Sequence, residues 1–339
     1  MNFAGLALLP AALLLDHLFG DPPNRFHPVC FMGALGKGLE CLLRRGHNPA
    51  LLFLAGCVAC LLTILPSAAI AYGLVLAIQI FQGDHLAWLL SALAVYICLA
   101  PRSLAEHARR VYTPLAQGNL SAARQAVSML VGRRTEELDS HGVARACVES
   151  VAENLTDGVL ATLFWAAAGL FLGGLPLAAG LAVLHRACNI LDAMWGKKNE
   201  TYRNFGTCAA RLDDVLNFLP ARLSLPCIAL GARVVPGLRH GDILPVGWKY
   251  RHAHESPNSA WSEAAFAGAL GLKLGGPAVY GTLAVNHPWL GEGTPNAEPG
   301  HILLALRLAR HTLIVFTLCM IFALAMASSL MGSGFWCPV

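Results

Sequence analysis

Charge is what this sequence lacks. Asp, Glu, Lys and Arg supply 13% of its 339 residues, where an ordinary soluble domain carries about 25%. Hydrophobic types reach 56% and mean hydropathy is +0.55. That balance excludes a disordered chain and disfavours a purely soluble enzyme. The net charge of +4 is scattered, so the basic stripe of a nucleic-acid binder is missing and no nucleic-acid partner is expected. Paired cysteine spacings are also missing. Of 11 cysteines, the one C-x-x-C pair, Cys57 and Cys60, lies inside an apolar run with no second pair. The cysteines therefore read as small packing residues, not as a zinc site or disulfide framework. There is no G-x-x-x-x-G-K-[ST], no H-E-x-x-H, no G-x-S-x-G and no G-x-G-x-x-G after a strand. A bound nucleotide would not use a Walker loop.

Apolar length is what the chain has. A helix needs about 20 mostly apolar residues to cross a bilayer. Candidate runs are Phe3 to Leu15, Ala50 to Phe81 broken at Pro66, Leu86 to Ala100, Val159 to Leu184 with Gly173-Gly174 and Pro176 inside, Leu216 to Val235 with Pro220 and Pro226, and Thr312 to Leu330. The first lacks the basic start of a signal peptide and reads as a retained segment. Between the runs lie four polar segments, 16–49, 101–157, 185–214 and 236–310. Lys37, Arg44 and Arg45 in the first, and Arg102, Arg109, Arg110, Arg124, Arg133, Arg134 and Arg145 in the second, mark both as cytoplasmic. Keeping all four on one side requires the Gly173 and Pro226 stretches to be hairpins or re-entrant pieces, tolerable only where buried in protein or lining a wet cavity. The expected fold is an all-α, polytopic integral membrane protein. It is one domain over 1–339 with about five membrane segments and long helical cytoplasmic segments.

Four clusters carry chemistry. Glu149, Glu153 and Asp157 stand at i, i+4 and i+8, three carboxylates on one helix face just before an apolar run. Like charges at that spacing repel without a cation, and the set suits Mg²⁺ as a hard, oxygen-liganded ion. A solvated acidic helix end is the plain alternative. The second cluster holds Arg186, Asn189 and Asp192, then Lys197, Lys198, Asn199, Glu200 and Arg203. Its cations suit phosphate oxygens, or else mark a positive-inside loop. The third holds Arg211, Asp213, Asp214, Asn217 and Arg222. Arg222 lies within an apolar run, where an ionised group has a partner or a task unless it snorkels to the interface. The fourth, Ser256-Pro257-Asn258-Ser259-Ala260-Trp261-Ser262-Glu263, is a turn leading into small residues that permit close backbone approach. Near the start, Gly20-Asp21-Pro22-Pro23 and His27-Pro28 form a rigid loop. Trp195, Trp248, Trp261 and Trp289 suit stacking on a flat ligand or interface anchoring.

Taken together, these blocks resemble the membrane-bound adenosylcobinamide-phosphate synthase family of cobalamin biosynthesis, from about Leu15 to Leu308. The likeness rests on Gly20-Asp21-Pro22 with His27-Pro28-Val29, on Val148 to Gly158 with Phe164-Trp165, and on Asn189-Ile190-Leu191-Asp192-Ala193-Met194. It continues through Asn199-Glu200 with Tyr202 and Phe205-Gly206, Ala210-Arg211-Leu212-Asp213-Asp214, Pro220-Ala221-Arg222, Ser256-Pro257-Asn258, and Glu263 to Gly271. The chain departs from the family pattern at Arg134, at Lys197-Lys198, and at Ala260 and Ser262. The resemblance implies ATP-dependent amide formation between adenosylcobyric acid and an amino alcohol phosphate, with ATP and Mg²⁺ as cofactors. It implies a metal set of Glu149, Glu153, Asp157 and Asp192, and catalytic acids Glu153, Asp213 and Asp214. Substrate and phosphate contacts would come from His27, Arg186, Asn189, Lys197, Asn199, Glu200, Arg211, Arg222, Ser256 and Asn258. It also implies a bacterial inner-membrane site facing the cytoplasm, with lipid and other membrane enzymes of late cobalamin assembly as partners. Two rivals from other classes are a transporter, which would show internal repeats where none is visible, and a membrane phosphotransferase using two metals.

Overall fold

A chain that meets lipid must satisfy its backbone N–H and C=O groups internally, and a helix does so within one segment. The computed structural model describes residues 3–197, 199–280 and 283–332, and most of them are helical. Lys198 lies outside the described residues. In chain order the elements are α1 (Phe3–Leu6), α2 (Leu8–Phe19), α3 (Pro28–Leu43), α4 (Pro49–Gln82), α5 (Asp84–Cys98), α6 (Pro101–Ala116), α7 (Leu120–Val127), α8 (Ser140–Asn154), α9 (Ala161–Trp195), α10 (Thr207–Leu216), α11 (Phe218–Ala232), α12 (Ile243–Tyr250), α13 (Ser259–Leu270), β1 (Leu274–Tyr280), β2 (Leu283–Leu290) and α14 (Pro299–Gly332). The expected all-α class holds, with one addition that no alternation in the sequence announced. β1 and β2 form an antiparallel hairpin with Leu274 opposite Leu290 and Tyr280 opposite Leu283.

Four helical stretches are long and apolar enough to cross a membrane: Pro49–Gln82, Asp84–Ala116, Ser140–Trp195 and Pro299–Leu330. α10 and α11, bent by 46°, make a fifth when counted as one span. The protein is a multi-pass membrane protein. Two details differ from the sequence expectation. The first apolar run forms only α1 and the 12-residue α2; α2 is about 18 Å long, short of a hydrocarbon core of about 30 Å. Pro66 lies inside the continuous α4 and does not break it. Beside it the Thr63 and Ser67 hydroxyls donate to the Ala59 and Thr63 carbonyls at 2.8 and 2.7 Å. The Gly173-Gly174 stretch does break. Gly174 has φ +75°, and a Cβ on Gly169 would run into Leu177 and Ala178. Thr162 Oγ1 and Nδ1 of His185 hydrogen-bond at 3.0 Å, whereas a straight helix would hold them about 34 Å apart. The two arms of α9 fold back on each other.

The chain divides into two compact units. One comprises Met1–Ala100, Ala161–Leu216 and Thr317–Val339; the other comprises Pro101–Leu160 and Asn217–Phe316. In the first unit, α4 and α9 bury Ala59, Cys60, Ile64, Ala187, Cys188, Leu191 and Trp195, with Phe205 and Ala209. The 196–206 turn is held by close backbone approach: a Cβ on Gly206 would overlap the Trp195 carbonyl, and one on Gly56 would overlap the Phe205 carbonyl. Gly206→Ala should therefore destabilise the protein by about 1–3 kcal/mol as overpacking does. Gly38→Ala in α3, where a Cβ meets nothing within 4 Å, should stabilise by about 0.5–1 kcal/mol. Unfolding in detergent checks the opposite signs.

In the second unit all twelve residues of α13 are buried. A helix that is apolar all round belongs inside, and small residues let its neighbours close in. A Cβ on Gly268 would sit 2.8 Å from the Asp242 carbonyl of the turn before α12. Glu263 is the one ionisable side chain on α13.

Candidate active site

The first unit brings together parts of the polar segments 16–49 and 185–214. Tyr96 Oη donates to the Gly20 carbonyl at 2.6 Å and fixes the loop after α2. His27 ends that loop as the N-cap of α3: its buried Nδ1 accepts from the Val29 N–H at 3.3 Å, with Pro28 next in line. The ring is therefore neutral, with its proton on Nε2. Burial lowers its pKa, Asp21 opposes this, and Arg186 adds to it. Arg186 Nη1 reaches Asn189 Oδ1 at 3.3 Å, while its buried Nε has no acceptor among the described residues. His27, Arg186 and Asn189 thus form a small anion-directed group beside Asp21.

A depressed histidine gives a definite sign. The stability due to neutral His27 is fully present above the ordinary value of about 6.5 and is lost as pH falls through the lower folded value. His27→Asn keeps an N-cap acceptor and removes the titration. Its unfolding midpoint should fall less than the wild type's between pH 7 and pH 5. Parallel curves would show that His27 does not titrate in this window.

Further along α9, Asp192 lies one step before the 196–206 turn. Glu40 of α3, itself buried, anchors this region: Trp195 Nε1 donates to Glu40 Oε2 at 3.0 Å, and Arg44 Nε pairs with Oε1 at 3.0 Å. A Cβ on Gly196 would overlap the Asp192 carboxylate, so glycine there leaves room for it. Asp192 and Asp214 lie close enough for their charges to repel. Asp213 is buried, and Arg211 pairs with Asp214 at 3.7 Å while remaining exposed. Lys197 and Glu200 are exposed. Asn199 has a structural task, since its Oδ1 accepts from the Tyr202 N–H at 2.9 Å.

The second unit holds the acidic row. Glu149 and Glu153 are on α8, and Asp157 follows in a π-helical turn, Leu155–Leu160. Glu149, expected as a metal ligand, is already engaged: Arg133 pairs with Oε2, the Gly275 N–H donates to Oε1 at 2.6 Å, and Arg145 Nε lies 3.9 Å away. A carboxylate satisfied this way clamps β1 to α8 instead of offering lone pairs to an ion. Burial alone would lower the Arg133 pKa, but the charge and hydrogen bond of Glu149 outweigh it and the net direction is up. Glu263 sits against the same group. Burial, reinforced by Glu153 and Glu149, pushes its carboxyl well above the usual range, with Arg133 opposing. Tyr280 of β1 faces Arg133, Glu149, Glu153 and Glu263, and burial raises its phenol. Arg222 Nη1 donates to Asn258 Oδ1 at 3.0 Å, and the Asn258 N–H donates to Ser256 Oγ at 3.3 Å.

Among the described residues no group of three or more His, Cys, Asp or Glu is placed to hold a metal by itself. Mg²⁺ usually takes one or two carboxylates and completes its shell with phosphates and water. The Asp192–Asp214 pair, two oxygen donors that repel without a cation, fits that demand.

Comparison with known proteins adds the family. Residues 9–309 match the family described as CobD/Cbib protein. The chain belongs to this family. The cobalamin biosynthesis protein CobD of Citrobacter koseri is 41% identical over 300 residues, 88% of this chain and 90% of that protein. Cobalamin biosynthesis protein CbiB of Salmonella arizonae is 41% identical over the same length and coverage. CobD of Photorhabdus laumondii is 39% identical over 290 residues, 85% and 87% of the two chains. No solved structure matches the chain. The CobD/Cbib assignment places the protein in cobalamin biosynthesis.

In this CobD/Cbib chain the structure adds Arg133, Tyr280 and Glu40 to the residues that the sequence singles out, and buries Glu263 of the fourth cluster beside Arg133. Glu263 had a signal: one acid on an otherwise uncharged helix of small and apolar residues. Tyr280 and Glu40 had none, since each acquires its surroundings from elements distant in sequence.

Proposed function

We propose that this protein joins the propionate carboxyl of adenosylcobyric acid to the amine of an amino alcohol phosphate, with ATP turnover, giving adenosylcobinamide phosphate. Membership of the CobD/Cbib family supports the pathway. The observation that carries the chemistry is the order along the end of α9: Arg186 and Asn189 beside His27, then Asp192 against Asp214. This puts phosphate donors next to paired carboxylates. A carboxylate is a poor electrophile, and ATP supplies the activation. When bound, Mg²⁺ would be held by Asp192 and Asp214 and would offset the charge of the triphosphate. His27, Arg186 and Asn189 hold phosphate oxygens by charge-assisted hydrogen bonds. Buried Asp213 takes a proton from the substrate ammonium, leaving the free amine to attack. The basic residues of the first two polar segments support a cytoplasmic-side site in the bacterial inner membrane.

The test is direct. Purified protein is incubated with adenosylcobyric acid, ATP, Mg²⁺ and either aminopropanol phosphate or free aminopropanol, and the corrinoid product is weighed by mass spectrometry. A product heavier by the dehydrated amino alcohol phosphate, formed only with ATP, is expected. Uptake of corrinoid into sealed vesicles without ATP turnover would replace the ligase by a transporter.

A further inference from the structure

Asp192 and Asp214 repel each other, so their approach is imposed by the backbone that carries them. They stand on α9 and α10, and the 196–206 turn joins those two helices. Whatever fixes the turn therefore bears on the spacing of the pair.

α3 reaches that turn. The residues it buries are Gly36 and Glu40, one turn apart on a single face. That face meets the end of α9: a Cβ on Gly36 would lie 2.7 Å from Leu191 Cδ2 and 3.4 Å from Trp195 Cζ2. Leu191 precedes Asp192, and Trp195 follows it by about one helical turn. A carboxylate buried in such a packing face is costly unless its oxygens are matched, and here they are. Trp195 Nε1 donates to Oε2 of Glu40 at 3.0 Å, and Arg44 Nε pairs with Oε1 at 3.0 Å. The Tyr202 hydroxyl donates to the same carboxylate, and the Arg44 guanidinium lies 5.6 Å from the centre of the Tyr202 ring.

Trp195 is the last residue of α9, and Tyr202 lies in mid-turn. The Tyr202 carbonyl accepts from the Gly206 N–H at 2.8 Å, one residue before α10 begins. One carboxylate on a third helix thus grips the turn at its entry and its middle. An apolar side chain of similar volume would serve packing alone, whereas a fully satisfied polar network rigidifies what it joins. We propose that Glu40 is a positioning residue, which sets Asp192 against Asp214 by holding Trp195 and Tyr202. Its role rests on the reading of that pair as the cation site, and Glu40 itself meets no reacting atom.

Two measurements on full-length protein in detergent test the role. The first is hydrogen–deuterium exchange, which needs no substrate. Glu40→Gln keeps the size of the side chain, but its one carbonyl oxygen no longer matches donors on both sides. Exchange in peptides covering 199–206 should rise about tenfold, while peptides from α13 exchange as in wild type. Tyr202→Phe, which removes one hydroxyl from a half-buried side chain, should give a smaller rise in the same peptides. Arg45→Gln, at an exposed neighbour, should give none. The second is a rate cycle with Asp192→Asn. Glu40→Gln should lower amide formation about tenfold or more in the wild-type background, as displacement of a reacting group does. With Asp192→Asn already present it should cost less than about twofold, because the two changes act through one carboxylate. The role is overturned by equal losses in the two backgrounds, by exchange in 199–206 that stays as in wild type in both Glu40→Gln and Tyr202→Phe, or by an equal rise in α13. Absence of amide product from the wild type would strike the ligase reading instead, and the exchange result would still decide whether Glu40 holds the turn.

Discussion

Replacing Arg133 by Met should lower stability by about 3–5 kcal/mol, the cost of removing one partner from a buried ion pair. The Arg133 and Glu149 side chains are only 14% and 6% exposed. Without Arg133, Glu149 keeps the Gly275 N–H and the distant Arg145, too little to solvate a buried carboxylate. The loss should be partly recovered by adding Glu149→Gln, because an amide can still accept from Gly275 while carrying no charge. Glu149→Gln alone leaves the guanidinium unpaired and should also destabilise. The four proteins form a double-mutant cycle, read from unfolding in detergent at fixed pH. A single-variant loss below about 1 kcal/mol is typical of an exposed pair and would remove Arg133 as the clamp. The expected consequence reaches β1, because Glu149 joins both Arg133 and the start of the hairpin.

Spacing makes the elements legible, and distance hides their partners. The i, i+4, i+8 row at Glu149, Glu153 and Asp157 is helical as its period implies, but Asp157 falls in a π-helical turn, Leu155–Leu160, that follows α8. No residue type in Leu155 to Leu160 demands this turn, so it cannot be read from composition. The long apolar runs give the membrane helices, because lipid leaves the backbone no other partner. Pro66 misleads, since α4 runs through it unbroken, as membrane helices often tolerate proline. Gly173-Gly174 does not mislead: positive φ at Gly174 is what a reversal needs. The hairpin is invisible because its first strand, Leu-Gly-Gly-Pro-Ala-Val-Tyr, does not alternate, and its pairing is interrupted between Gly275 and Pro277. At the site, sequence identifies the acids but not their tasks. Glu149 reads as a ligand until Arg133, sixteen residues earlier, is seen against it.

Asp192→Asn should reduce amide formation by about 10²–10³-fold, the scale of losing one electrostatic contact to developing charge. The amide keeps the shape of the carboxylate and relieves its repulsion with Asp214, so unfolding should be unchanged or slightly harder. Loss of activity with intact stability separates a role in the reaction from a role in the fold. If Asp192 holds Mg²⁺, the concentration giving half-maximal rate should also rise, by at least about tenfold. Gly196→Ala offers a second route to the same carboxylate. It keeps the charge, but its Cβ would overlap the Asp192 side chain and displace it. A shift near 1 Å at a reacting centre costs up to about 10² in rate. Both variants should therefore lose activity, one through charge and the other through position, while Glu200→Gln on the exposed turn should lose much less. Activity within twofold of wild type in both Asp192→Asn and Gly196→Ala would take the Asp192–Asp214 pair out of the chemistry. The acidic row of α8 and its π turn would then be the remaining place to seek the metal.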